Sequence, residues 1–524
     1  MIRFLRRIQN FCNQAEVFDV AVVGGGSGGL AFALEGAKLG LKIAVFDYVT
    51  PSSHGSTWGL GGTCVNVGCI PKKLMHQSAI IKEKNVSSNP YGWTSSFQEQ
   101  VDWNILIENI QNHIKGLNYG YKGNLQKQGI LYLNDQATFK DNHTLIYGKP
   151  DDLIAQDKNK LKELKFRYCV ISTGGRPTKL KSLEKHAITS DDIFSLRKPP
   201  GKTLVVGGGY IALECAGILK GLGFDVTLMT RGKYLREFDQ DIVEMILEHY
   251  QKYLKVNIIP QSLPFHSEQK NDKILVKWQS TVSAQEGSGI FDTVLMAIGR
   301  QANTKLLNLD KLGVKVNPTN NKIIGNLNGE IERTEIENIF AIGDVVNGIP
   351  ELTPVASKSG QLLAKRIQLL IRGSFLSQEY ENTKLEYSDY PTTVFTPLEY
   401  SFVGLNEEQA KAKFGEKNIE IYHSKFVPLE EQLCDQLDEN YELLQKKVYV
   451  KVVCNTSNNN KVVGIHYLGP NAGEVMQGFA VAVKLGMRIE DLQRTVGIHP
   501  TNAEELVLLK VTKSSGGDFE KHGC

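Results

Sequence analysis

The sequence predicts an α/β protein with two dinucleotide-binding units of alternating strand and helix, followed by a mixed α+β region. Three observations carry this. A short apolar run, Phe18 to Val23, leads into the glycine turn Gly24 to Gly29, a helical stretch to about Gly40 and a second apolar run, Lys42 to Phe46. The same order recurs from Thr203, with a run to Val206, the turn Gly207 to Ala212, a helix to about Leu222 and the run Asp225 to Met229. From Tyr387 to Leu509 the pattern changes to apolar runs such as Val448 to Val453 and Val462 to Tyr467, which read as an antiparallel sheet with flanking helices.

In the first unit, Gly24, Gly26 and Gly29 let the backbone approach a pyrophosphate seated on a helix N-terminus, and Asp47 stands where a carboxylate reaches a ribose hydroxyl. In the second, Gly207 and Gly209 repeat the turn, but the strand ends in Arg231, with Arg236 five residues on. Arginine binds a 2′-phosphate bidentately where a carboxylate repels it, so the second cofactor is expected to be NADP rather than NAD. The competing reading makes both arginines solvated loop charges. Between the units, a strand from Tyr168 to Ser172 runs into Thr173, Gly174 and Gly175, an exit suited to a domain crossing.

The stretch Gly61 to Lys73, GlyGlyThrCysValAsnValGlyCysIleProLysLys, holds Cys64 and Cys69 and enters a helix at Pro71. The spacing permits a disulfide, and a helix start beside Lys72 and Lys73 favours a thiolate. The spacing alone equally fits a buried, inert pair. Near the end of the chain, His499 precedes Glu504, which is placed to fix the imidazole's tautomer and raise its basicity.

At 524 residues the chain is too long for a single core. It is 41% hydrophobic and 22% charged with 49 glycines, a soluble globular composition. Sixty basic against 57 acidic residues leave a net charge of +3, which gives no electrostatic case for nucleic acid. Eight cysteines form no secreted disulfide framework, and no apolar run reaches membrane-spanning length, so no membrane association is expected. The first fifteen residues carry Arg3, Arg6 and Arg7 and no acid until Glu16. They read equally as a basic tail, with a cytoplasmic protein, or as a short mitochondrial presequence.

Taken whole, the string Gly61 to Lys73 resembles the redox-active disulfide of the pyridine nucleotide-disulfide oxidoreductases, and the resemblance spans about residues 18 to 505. It implies two Rossmann-like domains, the NADP domain inserted in the FAD domain, plus an α+β dimer interface domain. The corresponding boundaries are a tail to residue 16, FAD-binding segments 17–175 and 303–385, an NADPH-binding segment 176–302, an interface domain 386–510 and a mobile redox arm 511–524. FAD and NADPH are the implied cofactors. The first is assigned to Gly24, Gly26, Gly29, Asp47, Gly62, Thr63, Thr173, Gly174, Asp344 and Thr353, and the second to Gly207, Gly209, Tyr210, Ile211, Arg231, Arg236 and Gly299, while Lys72 and Glu214 are placed at the cofactor beside Cys69, whose thiolate they help to stabilise. Cys69 is the implied flavin-side thiolate, Cys64 the exchanging thiol, and His499 with Glu504 the acid-base pair serving the opposite subunit of a homodimer.

Within the family, Leu34 and Gln361 replace the arginines with which glutathione reductases hold their substrate. The glycine-rich tail ending at Cys524 resembles the arm of the large thioredoxin reductases, which makes thioredoxin the expected partner. In that group the arm continues past GlyCys with selenocysteine and glycine, and the same continuation is expected here.

Overall fold

The computed structural model describes residues 17–94, 100–325, 327, 329–433 and 447–521; the basic start and Cys524 lie outside the described residues. The chain divides into two compact units, each gathered from three segments. One takes residues up to Pro71, Glu108–Thr178 and Gly299–Tyr387, and the other Lys72–Ile107, Lys179–Ile298 and the chain from Ser388.

The first unit is built on a seven-stranded sheet. Its centre, Val17–Val23, pairs in parallel with Ile43–Phe46 on one side and Lys162–Ile171 on the other, and Ile339–Ala341 adds in parallel beyond. Val20, Val22, Ile43, Val45 and Val170 are buried in one cluster with Phe32, Leu363 and Ile367 of the helices Ser27–Lys38 and Thr353–Ile371. Continuous apolar strands are what a covered parallel sheet requires. The third strand starts at Lys162, six residues before the run read from the sequence. Its first half pairs antiparallel with Thr144–Gly148 and alternates buried Leu164 and Phe166 with exposed lysines and Glu163, a pattern a search for apolar runs passes over.

The second unit holds a five-stranded parallel sheet in the order Asn257–Ile259, Val226–Met229, Thr203–Val206, Thr293–Met296 and Ile188–Thr189. An antiparallel sheet of five strands, Thr392–Val394, Tyr400–Gly404, Lys461–Leu468, Val448–Asn455 and Ile419–Phe426 in spatial order, carries the helix Ala472–Lys484. These two sheets, read from the sequence as separate domains, form one compact unit. One cause is Lys451 on the antiparallel sheet, 1% exposed, whose ammonium lies 2.8 Å from Asp239 and 2.6 Å from Asp241 on the other side of the junction. Residues 72–107, read as part of the first FAD segment, also belong here. Lys72 pairs with Glu214 at 2.9 Å, and the Trp103 indole donates to the Leu196 carbonyl at 2.7 Å.

Residues 511–521 correct the expectation of a free arm. His423 N–H donates to the Val511 carbonyl, Lys513 N–H to Ile421, Lys425 N–H to Phe519 and Lys521 N–H back to Lys425, so the segment lies along the sheet-edge strand Ile419–Phe426. Composition suggested mobility, but an open strand edge supplies main-chain partners whatever the side chains. Among the described residues no helix is long and apolar enough to cross a membrane.

Candidate active site

Gly24 adopts φ 113°, and a Cβ there would stand 2.3 Å from the Ser172 carbonyl oxygen, so the turn can cross the end of the neighbouring strand only as glycine. The crossing opens a cavity lined by Gly24, Gly26, Asp47, Gly62, Thr63, Cys64, Thr173, Gly174, Asp344 and Thr353. Gly29 does not line it. A Cβ at Gly29 would lie 2.0 Å from the Gly24 carbonyl oxygen, so its role is close packing of helix on turn.

The cavity wall is short of hydrogen-bond partners. Thr173 Oγ1 and Gln136 Oε1 are buried with none, and both residues face the cavity. Burial pushes the Asp47 carboxyl up to about 6 against the pull of the Gly25 N–H at 3.0 Å. Burial and the charge of Glu351 likewise raise Asp344 to about 6. A ligand bearing hydroxyl donors satisfies these acceptors, and a pyrophosphate matches the glycine turn at the start of Ser27–Lys38. The residues present therefore fit FAD.

Cys64 sits half-buried in the short helix Gly62–Val67, and Gly68 separates that helix from Cys69, the exposed first residue of the helix Cys69–Val86. The second helix starts two residues before Pro71, which its first turn tolerates. Both cysteines are thiols in this structure. Cys64 donates toward Cys69, and that hydrogen bond, with burial second, holds the Cys64 thiol far above its ordinary range. Cys69 Sγ lies 3.7 Å from Thr353 Oγ1.

In the second unit, Gly207 repeats the glycine crossing: at φ 149° its Cβ would meet the Ala297 carbonyl oxygen at 2.1 Å. Gly209 precedes the helix Tyr210–Gly221, where Tyr210 is 37% exposed and Ile211 half-buried. Glu214 on the same helix is buried, accepting from Lys72 and, at 2.8 Å, from Phe395 N–H. Arg231 and Arg236 are exposed on the loop after Val226–Met229, and Arg236 Nε lies 3.2 Å from Glu237. Lys72 groups with this unit, whereas Gly299, at φ 112°, belongs to the first. Also in the second unit, His499 Nδ1 is 2.9 Å from Glu504 Oε1, and His499 is 68% exposed. Val496 and Ile498 before it are 91% and 77% exposed.

Residues 18–360 match the family model described as pyridine nucleotide-disulphide oxidoreductase, and residues 390–509 match the dimerisation domain of that family. The chain belongs to the pyridine nucleotide-disulphide oxidoreductases. It is similar to "Thioredoxin reductase 2, mitochondrial" of Drosophila melanogaster, 42% identical over 514 residues, covering 97% of this chain and 93% of that one. The cofactors of such oxidoreductases, FAD and NADPH, are thereby those of this chain.

Several contacts around the cavity and the cysteine helices join residues whose partners are not readable from the sequence. Gln136 reaches the cavity from the strand Gln136–Asp141, in a stretch without motifs. Arg300 donates to Thr63 Oγ1 at 3.2 Å and to the Gly175 carbonyl, tying the cysteine helix to the crossing strand. Lys73 and the buried His76 both reach Glu399, at 3.2 and 2.9 Å. Lys72, Lys73 and His76 recur three and four residues apart, a stripe on one helix face that was open to recognition as a polar face seeking partners.

Proposed function

We propose that this chain is an NADPH-dependent thioredoxin-disulfide reductase acting as a homodimer. The observation that carries the reading is the Cys64–Cys69 pair set at the wall of the dinucleotide cavity, with Cys64 lining it. Similarity to a protein named thioredoxin reductase supports the acceptor. The matched dimerisation domain, with Val496 and Ile498 exposed on it, supports the dimer. Of the two compartments left open by the basic start, the relative's name supports the mitochondrial one.

In the overall balance, NADPH, a proton and a protein disulfide give NADP⁺ and two thiols. Bound along Gly24, Gly26, Asp47, Thr173 and Asp344, FAD supplies the two-electron link between the nicotinamide and the Cys64–Cys69 disulfide. Tyr210 gates the nicotinamide pocket, and Arg231 and Arg236 hold the 2′-phosphate. Once reduced, Cys64 attacks the next disulfide, forming a mixed disulfide and expelling a thiolate. Cys69 then attacks the Cys64 sulfur, which re-forms the internal disulfide and releases the second thiolate.

The thiol of Cys64, held protonated by its hydrogen bond to Cys69 and by burial, needs a base before it attacks, and each departing thiolate needs an acid. His499, oriented by Glu504, serves both from the opposite subunit, consistent with its exposure. Electrons leave through Cys524 on the arm. Cys64→Ser and Cys69→Ser are each expected to keep FAD and lose NADPH-driven reduction of thioredoxin. Normal thioredoxin turnover in either variant, or turnover with glutathione disulfide in its place in the unmodified protein, overturns the assignment.

A further inference from the structure

Cys64 and Cys69 stand on different helices, and a pair of carboxamides holds the first of them in place. The helix Gly62–Val67 is six residues long, too short to be stable by its own hydrogen bonds. It meets the next helix at Gly68, where a Cβ would stand 2.9 Å from the Thr63 carbonyl oxygen and 3.2 Å from Cys64 Cα. Asn66, 2% exposed, donates through Nδ2 to the Gly62 carbonyl at 2.8 Å and to the Gly59 carbonyl at 3.2 Å. Its Oδ1 accepts from Asn118 Nδ2 at 2.9 Å, and Asn118 Nδ2 also donates to the Leu60 carbonyl at 2.6 Å. The N–H bonds of both carboxamides are thus all used, and the carbonyls of Gly59, Leu60 and Gly62 receive all but one of them.

The turn Gly59–Gly62 is where the cysteine helix meets the first dinucleotide turn. Gly61 N–H donates to the Gly25 carbonyl at 3.1 Å, and at Gly62, φ 70°, a Cβ would lie 2.6 Å from Gly26 Cα. Its glycines leave this turn free to change shape unless contacts from outside fix it. Asn118 brings such contacts from the long helix Trp103–Lys127, which is anchored where buried Leu125 shares a cluster with Leu60 and Tyr121 packs against it. An apolar pair of the same size would fill the space, but only directed donors hold the carbonyls of one turn at once. The consequence falls on disulfide closure. A disulfide needs its sulfurs at about 2.05 Å and a narrow range of torsion, so its stability depends on how nearly the dithiol is already held in that geometry. In the dithiol form of this structure Cys64 donates toward Cys69.

We propose that Asn66 and Asn118 are positioning residues for thiol–disulfide exchange: their joined carboxamides hold the Cys64 helix on the dinucleotide turn, so that Cys64 stays aimed at Cys69 and the internal disulfide re-forms with little loss of freedom. The inference rests on the reading of Cys64 and Cys69 as the redox pair.

The test is the equilibrium of this pair in the full-length, FAD-loaded protein with reduced and oxidised dithiothreitol, read by thiol alkylation and peptide mass. Oxidised dithiothreitol takes up the electrons and protons of the dithiol as the internal disulfide forms. Asn118→Leu and Asn118→Asp nearly keep the size of the side chain and remove its N–H donors. Each is expected to lower the equilibrium constant for disulfide closure about tenfold, a rise in reduction potential of about 30 mV, with FAD still bound. A merely structural role lowers FAD content or melting temperature and leaves the potential of the folded protein where it was. Unchanged potential in Asn118→Leu overturns the proposal, and so does a shift in Asn118→Asp alone, which assigns the effect to the new charge. Where Asn118→Leu fails to retain FAD, Asn118→Ser, which keeps one donor, is measured instead, with a shift of about threefold expected and no shift overturning the proposal. Failure of the unmodified protein to form a Cys64–Cys69 disulfide in these buffers overturns the redox pair itself and the positioning with it.

Discussion

Asp47→Asn is expected to stabilise the protein without its flavin and weaken the flavin's hold. Burial raises the Asp47 carboxyl from 3.8 to about 6. The flavin-free native state therefore binds this proton more tightly than the unfolded chain. That advantage is complete below about pH 4 and is lost as pH rises through 6, leaving the ionised protein about 3 kcal/mol less stable on account of this group. Asparagine carries no charge to desolvate and still accepts from the Gly25 N–H, so the flavin-free Asp47→Asn variant should melt higher than the unmodified protein above pH 6. With FAD bound, ribose hydroxyls donating to the carboxylate favour its ionised form. Flavin affinity should then fall, by at most about tenfold per pH unit, as pH drops below 6 and the Asp47 proton must be expelled on binding. The asparagine variant should lose that part of the slope, keeping the part due to Asp344, and bind FAD about ten- to a hundredfold more weakly at pH 7.5 for want of charge-assisted hydrogen bonds. Melting of flavin-free protein and fluorescence titration with FAD from pH 5 to 8 measure both. A lower melting temperature for the flavin-free variant than for the unmodified protein at pH 7.5, or an undiminished pH slope, refutes the reasoning.

Replacing Arg231 and Arg236 together by Ala should weaken NADPH about a hundredfold or more relative to NADH, since only NADPH carries the 2′-phosphate; equal loss of both in KM measurements counts against the assignment. Lys451→Met strands the carboxylate of Asp239, which is 1% exposed, and should cost about 3–5 kcal/mol in urea unfolding, with much of the loss recovered by adding Asp239→Asn. Burial pushes Asp241 and Glu407 up, but the lysine contacts prevail and hold both carboxyls down at about 2. Their contribution to stability should therefore be present above about pH 4.5 and drain away as pH falls toward 2, a loss absent from a Lys451→Met, Lys513→Ala variant followed by acid titration.

Local chemistry was legible in the sequence because it is spelled by neighbours. The glycine turns at Gly24 and Gly207 follow from backbone crossings that admit no Cβ, so the residue type announces the geometry. Cys64 with Cys69, and His499 with Glu504, lie within one or two helical turns, a range over which spacing alone restricts where side chains can go. Tertiary structure decided what depends on partners far along the chain. Gln136 joins the cavity from a strand with no motif, Arg300 reaches Thr63 from 237 residues away, and the sheet cores of the second unit merge through Lys451, whose partner Asp239 lies 212 residues away in sequence. The arm shows the reason most directly. Its own residues predict mobility, but whether a polar, glycine-rich segment stays free depends on the strand edge it meets. At Ile419–Phe426 that edge offers unpaired main-chain groups and the buried ring of His423.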